Sequence, residues 1–396
     1  MPSPTLYMAV INDLVTDQRV DRSCRALSEA GYAVTLIGRR HPGEARSLTD
    51  RGYATQRMKI RIWRGPLFYA EYNVKLFLWL LFARTDIFYA NDSDTLLACT
   101  LAARLRRKRL IFDAHELFPD VPELVDKPRV RRVWQWVERR CLPHVDVAFT
   151  VCQSVADEYR RRYGVKMTVV RNLPERREVR DARRECGVSQ PITTMDSIVS
   201  KNTIASILYQ GAVNKGRGVR ELVDAMQYLT QCHLTVAGDG DLLEELKGYA
   251  SGLPWSERVT FLGCVEPAQL HALTRQADLG VCLLEDCGLN YRYALPNRVG
   301  DFAQAGVPLL ATDFPEIRRV LEGYYTGTLT EPCPAVKEGQ DYDAYIQRLA
   351  RTILDTLDYW HQLPTAERTA RFARAGEELC WDHEKEKLLK TVNGYY

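Results

Sequence analysis

The sequence predicts an α/β protein built from two domains, each a parallel sheet covered by helices. Short apolar segments typical of buried strands alternate with helical patterns along most of the 396 residues. A polar stretch from Asn172 to Asn202, rich first in Arg and Glu and then in Ser and Thr, interrupts this alternation. Because the alternation then begins again over a similar length, we expect two Rossmann-like halves joined by a linker.

The first half contains six strand patterns, at residues 7–11, 34–37, 57–62, 87–90, 110–113 and 145–151. A helix is predicted from Arg19 to Ala30, because Val20, Cys24 and Leu27 share one face. Gly31 follows and can end that helix. Alternation of this kind predicts parallel strands with helices on both faces of the sheet.

The second half has strand patterns at residues 207–209, 233–237, 259–262, 279–284 and 309–312, with helical patterns at 219–228, 242–249 and 268–276. A charged amphipathic helix is predicted near the end of the chain, over residues 381–392. The predicted domains are residues 1–172 and 205–378, with a linker and insertion at 173–204 and a final segment at 379–396.

The cysteine pattern argues against a metal site, and the length of the apolar runs argues against a membrane-spanning helix. Eleven cysteines form no CxxC pair and no Cys/His cluster with metal-ligand spacing, so we expect no metal site and a reducing cytoplasm. The longest strictly apolar run, Leu76–Ala83, is far below the ~20 residues that a membrane-spanning helix needs. We therefore expect a cytoplasmic protein without a membrane-spanning helix.

Positive charge is concentrated in the first half. Residues 1–170 carry 28 Lys and Arg against 19 Asp and Glu, a net charge of +9, which leaves −6 for the rest. Such a half suits an anionic partner, namely membrane lipid, a pyrophosphate-linked acceptor or nucleic acid, although a basic face can also be only solubilising. Basic clusters at 104–109 and 129–132, with Trp134 and Trp136 beside the second, favour an anionic membrane surface over nucleic acid. Trp134 could instead belong to the core.

A short helix is predicted between the strands at 279–284 and 309–312, with Pro296 in its first turn and Gly306 at its end. On a helical wheel Asn297, Asp301 and Gln304 lie opposite the apolar stripe. Ligands of open α/β sheets bind beyond the carboxyl ends of the strands, and an Asp there can accept hydrogen bonds from both ribose hydroxyls. The alternative is a solvated Asp301 paired with Arg298.

A glycine-rich segment, Gly211–Gly218, joins a predicted strand to a predicted helix. Backbone N–H groups at such a helix start can bind an anion, and glycines let a phosphate approach closely. Lys215 and Arg217 lie at the positive end of that helix, where the helix dipole disfavours cations unless an anion binds there. An ordinary surface turn is the alternative.

Three further segments follow predicted strands and carry weaker signals. They are Gly238-Asp239-Gly240, the end of Phe261–Val265, and Phe112–Pro119, which contains His115. Each by itself is compatible with a turn or, for His115, with a structural histidine. No G-x-G-x-x-G follows the first strand, which disfavours a simple NAD-binding enzyme.

Several of these segments resemble the retaining glycosyltransferases of family 4, which have the two-domain GT-B fold. Residues 296–308, PNRVGDFAQAGVP, are similar to that family's Pro-Asn-Lys-Leu-Phe-Glu-Tyr followed by Ala-Gly-x-Pro. Residues 112–118, FDAHELF, resemble its Tyr-Asp-x-His-Glu-Leu-Tyr, and Arg217-Gly218 resembles its Lys-Gly or Arg-Gly. The resemblance covers nearly the whole chain except residues 188–203. It implies that residues 205–378 bind the nucleotide sugar, that residues 1–172 bind the acceptor, and that the helix in 379–396 packs back on the N-terminal domain.

The resemblance implies a role for each candidate residue. Asp301 takes the place of the ribose-binding Glu, Arg217 contacts the donor diphosphate, and His115 approaches the transferred sugar. The other implied donor-binding residues are Gly211, Lys215, Gly218, Gly238, Gly240, Cys264, Val265, Asn297 and Arg298. The sequence departs from the family at two positions. Tyr293 takes the place of a second Glu, and Ala212 takes the place of an Arg.

The implied activity is transfer of a sugar, with retention, from a UDP-, GDP- or similar nucleotide sugar to a saccharide or lipid-linked acceptor in cell-surface glycan synthesis. The implied enzyme is a hexosyltransferase that works without a metal or other cofactor, in the cytoplasm or peripherally on the inner face of the membrane. Two alternatives remain, a nucleotide-sugar epimerase of the same fold and a non-catalytic carbohydrate-binding subunit.

Overall fold

The structure is a computed structural model that describes residues 3–15, 17–40, 51–176 and 205–394. The chain divides into two compact units. Unit 1 consists of Met1–Asn172 together with His383–Tyr396, and unit 2 of Leu173–Asp382. The predicted insertion at 188–203 lies outside the described residues.

Unit 1 contains a seven-stranded sheet with the order β3-β2-β1-β4-β5-β6-β7. Every neighbouring pair is parallel. The strands are β1 (Thr5–Ala9), β2 (Ala33–Arg40), β3 (Ala54–Lys59), β4 (Ile87–Asn91), β5 (Arg109–Ala114), β6 (Val147–Thr150) and β7 (Thr168–Val169). The chain reverses its direction of travel across the sheet between β1 and β4, which is where open α/β sheets bind ligands.

The helices of unit 1 are α1 (Gln18–Glu29), α2 (Pro66–Phe82), α3 (Ser93–Arg106), α4 (Pro122–Val125), α5 (Pro128–Cys141) and α6 (Gln153–Tyr163). The Asp17 side chain caps α1 by accepting a hydrogen bond from the Val20 N–H. The last part of the C-terminal helix also belongs to this unit, since Tyr32 Oη donates to Asn393 at 2.7 Å and Arg171 pairs with Glu384 at 2.8 Å.

Unit 2 contains a six-stranded, fully parallel sheet with the order β10-β9-β8-β11-β12-β13. The strands are β8 (Ala205–Gln210), β9 (Cys232–Ala237), β10 (Val259–Gly263), β11 (Leu279–Cys282), β12 (Leu309–Thr312) and β13 (Gly327–Thr330). Its helices, numbered onward, are α7 (Val219–Ala225), α8 (Leu243–Ser251), α9 (Pro267–Gln276), α10 (Leu289–Arg292), α11 (Asn297–Ala305), α12 (Pro315–Tyr324), α13 (Gln340–Gln362) and α14 (Thr365–Glu378). The C-terminal helix, α15 (Trp381–Asn393), follows, and most of it belongs to unit 1.

The sheet of unit 2 is covered by apolar side chains on both faces. Ile207 and Tyr209 pack into one buried cluster with α13, whereas Leu208 between them packs into another with α11 and α14. Every residue of β8 is buried, as expected for a central parallel strand. Burial on both faces leaves the strand ends as the exposed edge where polar side chains can gather.

The α/β class with two Rossmann-like parallel sheets, predicted from the sequence, is confirmed. Strand β3 begins and ends three residues earlier than the predicted 57–62. The longest helix, α13, was not identified from the sequence. None of the helices in the described ranges combines the length and the apolar character that crossing a membrane requires.

Candidate functional site

The glycine-rich segment after β8 packs against the loop after β9. Gly211 has φ 122°, and its N–H donates to the Ala237 carbonyl at 2.9 Å. A Cβ on Gly238 would lie 1.8 Å from the Gly211 carbonyl oxygen, and a Cβ on Gly240 would lie 2.5 Å from that of Val213. These glycines are therefore required by the close approach of two backbone segments, a reason that the sequence motif did not reveal.

A buried arginine lies directly behind this loop. Arg298, at the start of α11, is 6% exposed, and its guanidinium lies 4.5 Å from the centroid of the Tyr209 ring. A Cβ on Gly211 would lie 2.8 Å from Arg298 Nη2, so the glycine makes room for the cation. Its Nη1 has no hydrogen-bond partner within the described ranges. A desolvated positive charge thus stands behind the backbone of the glycine loop.

Arg217 is the second cation of the loop. Its guanidinium lies 4.8 Å from the centroid of the Tyr291 ring, and its buried Nε has no hydrogen-bond partner in the part of the chain that the structure describes. Tyr291 Oη donates to the Lys215 carbonyl at 3.1 Å, which ties α10 to the same loop. The Lys215 side chain itself is exposed. The loop therefore presents an unsatisfied Arg217 and a solvated Lys215.

Asp301 lies on α11, near the carboxyl end of β8. Its Oδ2 accepts a hydrogen bond from Gln210 Nε2 at 3.2 Å, and Gln210 is the last residue of β8. Helix α11 begins at Asn297, with Pro296 at its N-cap, and Gly306 ends it in the left-handed conformation at φ 72°. The carboxylate is thus placed where the sequence pattern predicted it.

Gln304, which the helical wheel put opposite the apolar stripe, is buried. It is 2% exposed, and its Nε2 donates to the Gly376 carbonyl at 2.6 Å and to the Leu379 carbonyl at 3.1 Å. The face of α11 opposite the sheet is covered by α14, which no local pattern could show. Asn297, at the start of the same helix, is exposed. After β10, Cys264 is exposed and Val265 is half-buried.

Three charged residues beside the loop were missed by the sequence analysis. Lys337 Nζ lies 2.7 Å from Glu221 Oε1 and 2.8 Å from Glu285 Oε1. Glu221, in the first turn of α7, is fully buried, and burial raises the pKa of its carboxyl although Lys337 opposes this. The Glu285 N–H donates to the Gly216 carbonyl at 3.0 Å. The only sequence signal was the position of Glu285 directly after a predicted strand.

A second polar cluster lies at the carboxyl ends of β4 and β5 in unit 1. Arg19 Nη2 and Nε donate to Asp113 Oδ1 and Oδ2 at 2.7 and 3.2 Å, and both side chains are almost fully buried. Arg19 Nη1 also donates to the Val170 carbonyl at 2.6 Å, and Tyr89 Oη donates to Asp113 at 3.1 Å. The pair therefore ties α1 and the end of unit 1 to β5.

His115 lies between two carboxylates of this cluster. Its Nδ1 is 3.2 Å from Asp92 Oδ2, and its Nε2 is 3.6 Å from Asp113 Oδ2. Burial lowers the pKa of His115, but Asp92 and Asp113 raise it by more, to about 9. The imidazole is therefore protonated at neutral pH. Its Nε2 has no hydrogen-bond partner in the described ranges, so this N–H is a donor available to a ligand.

Asp92 holds His115 from a strained position. Its backbone has φ 57° and ψ 168°, which residues other than glycine rarely adopt. The His115 N–H donates to Asp92 Oδ1 at 2.8 Å, and the Asp92 N–H donates to the Asp113 carbonyl at 2.9 Å. Asn91, the residue before Asp92, is buried and its side chain donates to the Ala9 carbonyl at 2.9 Å.

The two tryptophans beside the second basic cluster differ in their surroundings. Trp134 is 8% exposed and packs edge-on against Tyr69 and Phe118, at ring-centroid distances of 5.0 and 4.8 Å. The alternative that Trp134 belongs to the core is therefore the correct one. Trp136 is 52% exposed. In the described ranges, no group of three or more His, Cys, Asp or Glu side chains is arranged to hold a metal ion.

Comparison with known proteins supports a single family. Residues 17–173 match the family model described as Glycosyltransferase Family 4, and residues 204–355 match the one described as Glycosyl transferases group 1. No curated protein matches the sequence.

The solved structures similar to this chain share its fold at low sequence identity. A sucrose-phosphate synthase from Thermosynechococcus elongatus has a TM-score of 0.73 and 16% identity over 99% of both chains. The α,α-trehalose-phosphate synthase (UDP-forming) from Burkholderia xenovorans has a TM-score of 0.71 and 13% identity, over 99% of this chain and 100% of that one. Anabaena Alr3699/HepE, in complex with UDP-glucose, has a TM-score of 0.69 and 14% identity over 98% and 99%. With both family models matched in order along one GT-B fold, the chain belongs to the family 4 type of glycosyltransferases.

Proposed function

We propose that the protein transfers a hexose, with retention, from a nucleoside-diphosphate sugar to a saccharide or lipid-linked acceptor in cell-surface glycan synthesis. Unit 2 binds the donor, and the basic unit 1 binds the acceptor. No metal or other cofactor takes part. The observation that carries the donor site is the buried Arg298 behind Gly211, because a desolvated cation with an unpaired Nη1 is stabilised by an anion at that loop.

The chemistry of a nucleoside diphosphate fits the polar groups at this edge of the sheet. The diphosphate is anionic and suits the loop with Lys215, Arg217 and Arg298, whereas the ribose diol suits the Asp301 carboxylate. As the sugar leaves, negative charge accumulates on the diphosphate, and preorganised cations stabilise that charge in the transition state. The HepE structures hold UDP-glucose and UDP, which supports a uridine nucleotide as the first probe.

In unit 1 we assign His115 to the transferred sugar. A protonated imidazole with an unpaired Nε2–H can donate a hydrogen bond to a sugar hydroxyl. Asp92 and Asp113 orient the ring, and we assign no protein nucleophile.

Arg217→Ala is expected to weaken UDP binding roughly ten- to a hundredfold, because a charge-assisted contact typically contributes ~1.5–3 kcal/mol. Isothermal titration calorimetry with UDP and with uridine measures this. Uridine binding is expected to change little, since the nucleoside carries no phosphate. Arg348→Ala removes an exposed arginine elsewhere in unit 2 and serves as the control. If Arg217→Ala binds UDP as tightly as Arg348→Ala does, the phosphate assignment is wrong.

We further propose that unit 1 attaches peripherally to an anionic membrane through α2, α3 and α5. Helix α2 packs on α3, and α3 packs on α5. Helix α2 is apolar on both sides, with Phe68, Tyr72, Leu76 and Leu80 buried. The three helices together expose large apolar side chains at Leu67, Val74, Leu78, Phe82, Leu101, Leu105, Val133 and Trp136.

The charges on these helices indicate which binding partner this surface favours. The exposed charged residues of α2, α3 and α5 are all cationic, namely Arg104, Arg129, Arg132, Arg139 and Arg140. Asp94 and Glu138 are buried, and Glu71 is paired with Lys75 at 2.5 Å. A second copy would bring arginines against arginines, whereas anionic lipid accepts both the cations and the apolar side chains.

Replacing Phe82 and Leu78 together by Glu is expected to reduce co-sedimentation with phosphatidylglycerol vesicles at least tenfold, because it removes apolar contact and adds repulsion. Each cation near the surface contributes ~1 kcal/mol before screening, so high salt is expected to weaken binding as well. Leu354→Glu, at a 42% exposed leucine of unit 2, is the matched control. Binding that is indifferent to lipid charge and salt, or equally weakened by Leu354→Glu, would rule out this surface.

A further inference from the structure

Two buried polar side chains, Thr274 and Gln210, lead to the half-buried Asp301. Gln210 and Thr274 are 3% and 2% exposed and lie on β8 and α9. Thr274 Oγ1 lies 2.7 Å from Gln210 Oε1, and Gln210 Nε2 lies 3.2 Å from Asp301 Oδ2. The amide of Gln210 is therefore held at one end by a hydroxyl and presents its other end to the carboxylate.

The Thr274 hydroxyl has one proton and two acceptors. The Leu270 carbonyl oxygen, one turn earlier on α9, also lies 2.7 Å from Thr274 Oγ1. A hydroxyl can donate only once but can accept as well, and a glutamine amide can present either its oxygen or its nitrogen after a half-turn. The direction of the Thr274 proton is thus linked to the orientation of the Gln210 amide.

The two arrangements have opposite effects on Asp301. If Thr274 donates to Gln210 Oε1, the amide N–H groups point to Asp301 and stabilise its ionised carboxylate. If Thr274 donates to the Leu270 carbonyl, it accepts from the amide nitrogen, and Gln210 Oε1 then faces the carboxylate and repels it. An ionised Asp301 selects the first arrangement, because a hydrogen bond to a charged group is stronger than one between neutral groups.

We propose that Gln210 and Thr274 are positioning residues of the donor site, which fix the orientation of the Asp301 carboxylate for the two ribose hydroxyls. This inference rests on the proposed donor site. Thr274 acts only through Gln210 and Asp301, so its effect depends on whether the ligand has ribose hydroxyls. A residue that serves only the packing of α9 affects all nucleotides alike.

The test is a comparison of two ligands across three variants. The ligands are whichever of UDP, GDP, ADP and CDP binds wild type most tightly and the 2′,3′-dideoxy analogue of that nucleotide. Thr274→Val keeps the shape but cannot donate, and we expect it to weaken binding of the ribonucleotide about three- to tenfold and leave the dideoxy analogue unchanged. Thr274→Ser keeps the hydroxyl and is expected to bind like wild type. Asp301→Asn is the reference for loss of the ribose contact.

The outcomes separate this inference from the function on which it rests. If Asp301→Asn distinguishes the two ligands and Thr274→Val does not, the inference is overturned and the ribose site stands. If Thr274→Val weakens both ligands equally, its role is structural and the inference also fails. If Asp301→Asn shows no preference, or none of the four nucleotides binds wild type, the proposed donor site itself is wrong.

Discussion

Replacing Arg19 by Met is expected to lower the free energy of unfolding of unit 1 by about 3–5 kcal/mol, since the buried Asp113 carboxylate loses the guanidinium that is hydrogen-bonded to both of its oxygens. The side chains of Arg19 and Asp113 are only 3% and 2% exposed. The carboxylate keeps hydrogen bonding from Tyr89 but loses both guanidinium contacts. The Val170 carbonyl loses a donor at the same time.

Hydrogen exchange of the amides of β4 and β5, followed through a urea series, reports on unit 1 without interference from unit 2. The matched control is Arg25→Met on the same helix, whose pair with Asp21 is partly exposed, at 41% for Arg25 and 21% for Asp21. That variant is expected to lose at most about 1 kcal/mol. Equal effects of the two substitutions would show that the buried pair has no special role in unit 1.

Replacing Lys337 by Met is expected to destabilise unit 2 by about 3 kcal/mol at neutral pH, because Glu221 and Glu285 then share a buried site without a cation. Burial already raises the pKa of Glu221, and loss of Lys337 raises it further. A buried carboxyl whose pKa is raised destabilises the fold only where it is ionised. The loss of stability is therefore full above that raised pKa and shrinks as the pH falls through it.

Thermal unfolding of wild type, Lys337→Met and Lys337→Arg across pH 5–8 measures this. Lys337→Arg keeps the charge and is expected to recover most of the stability. Lys247→Met, which breaks an exposed pair with Glu244, is the control and is expected to change little. A difference between wild type and Lys337→Met that stays constant with pH would contradict the account of two uncompensated carboxylates.

The regular elements were predictable where local sequence determines burial. Strand β12 agrees with its predicted bounds because a parallel strand buried on both faces is a continuous apolar run. Helix α11 agrees because Pro296 and Gly306 mark its two ends. Strand β3 was misplaced because it lies at the sheet edge, where its polar, partly exposed residues carry no apolar run.

The sequence predicted which loops form the site, but it did not predict the contacts between side chains behind those loops. The glycine segment, Arg217 and Asp301 lie at strand ends, as their motifs predicted. The burial of Arg298 behind Gly211, the link from Thr274 to Asp301 and the Glu221–Lys337–Glu285 cluster depend on contacts between residues 52 to 116 positions apart. No local period or motif encodes such contacts, and only the folded sheet brings these side chains together.

The measurement that tests the donor site most directly is a crystal structure of the protein with UDP, or with whichever nucleoside diphosphate binds more tightly. The account predicts that the ribose hydroxyls lie within hydrogen-bond distance of the Asp301 carboxylate and that the diphosphate lies against the 211–218 loop, in contact with Arg217. A nucleotide bound to unit 1, or bound to unit 2 with its ribose far from Asp301, would contradict it.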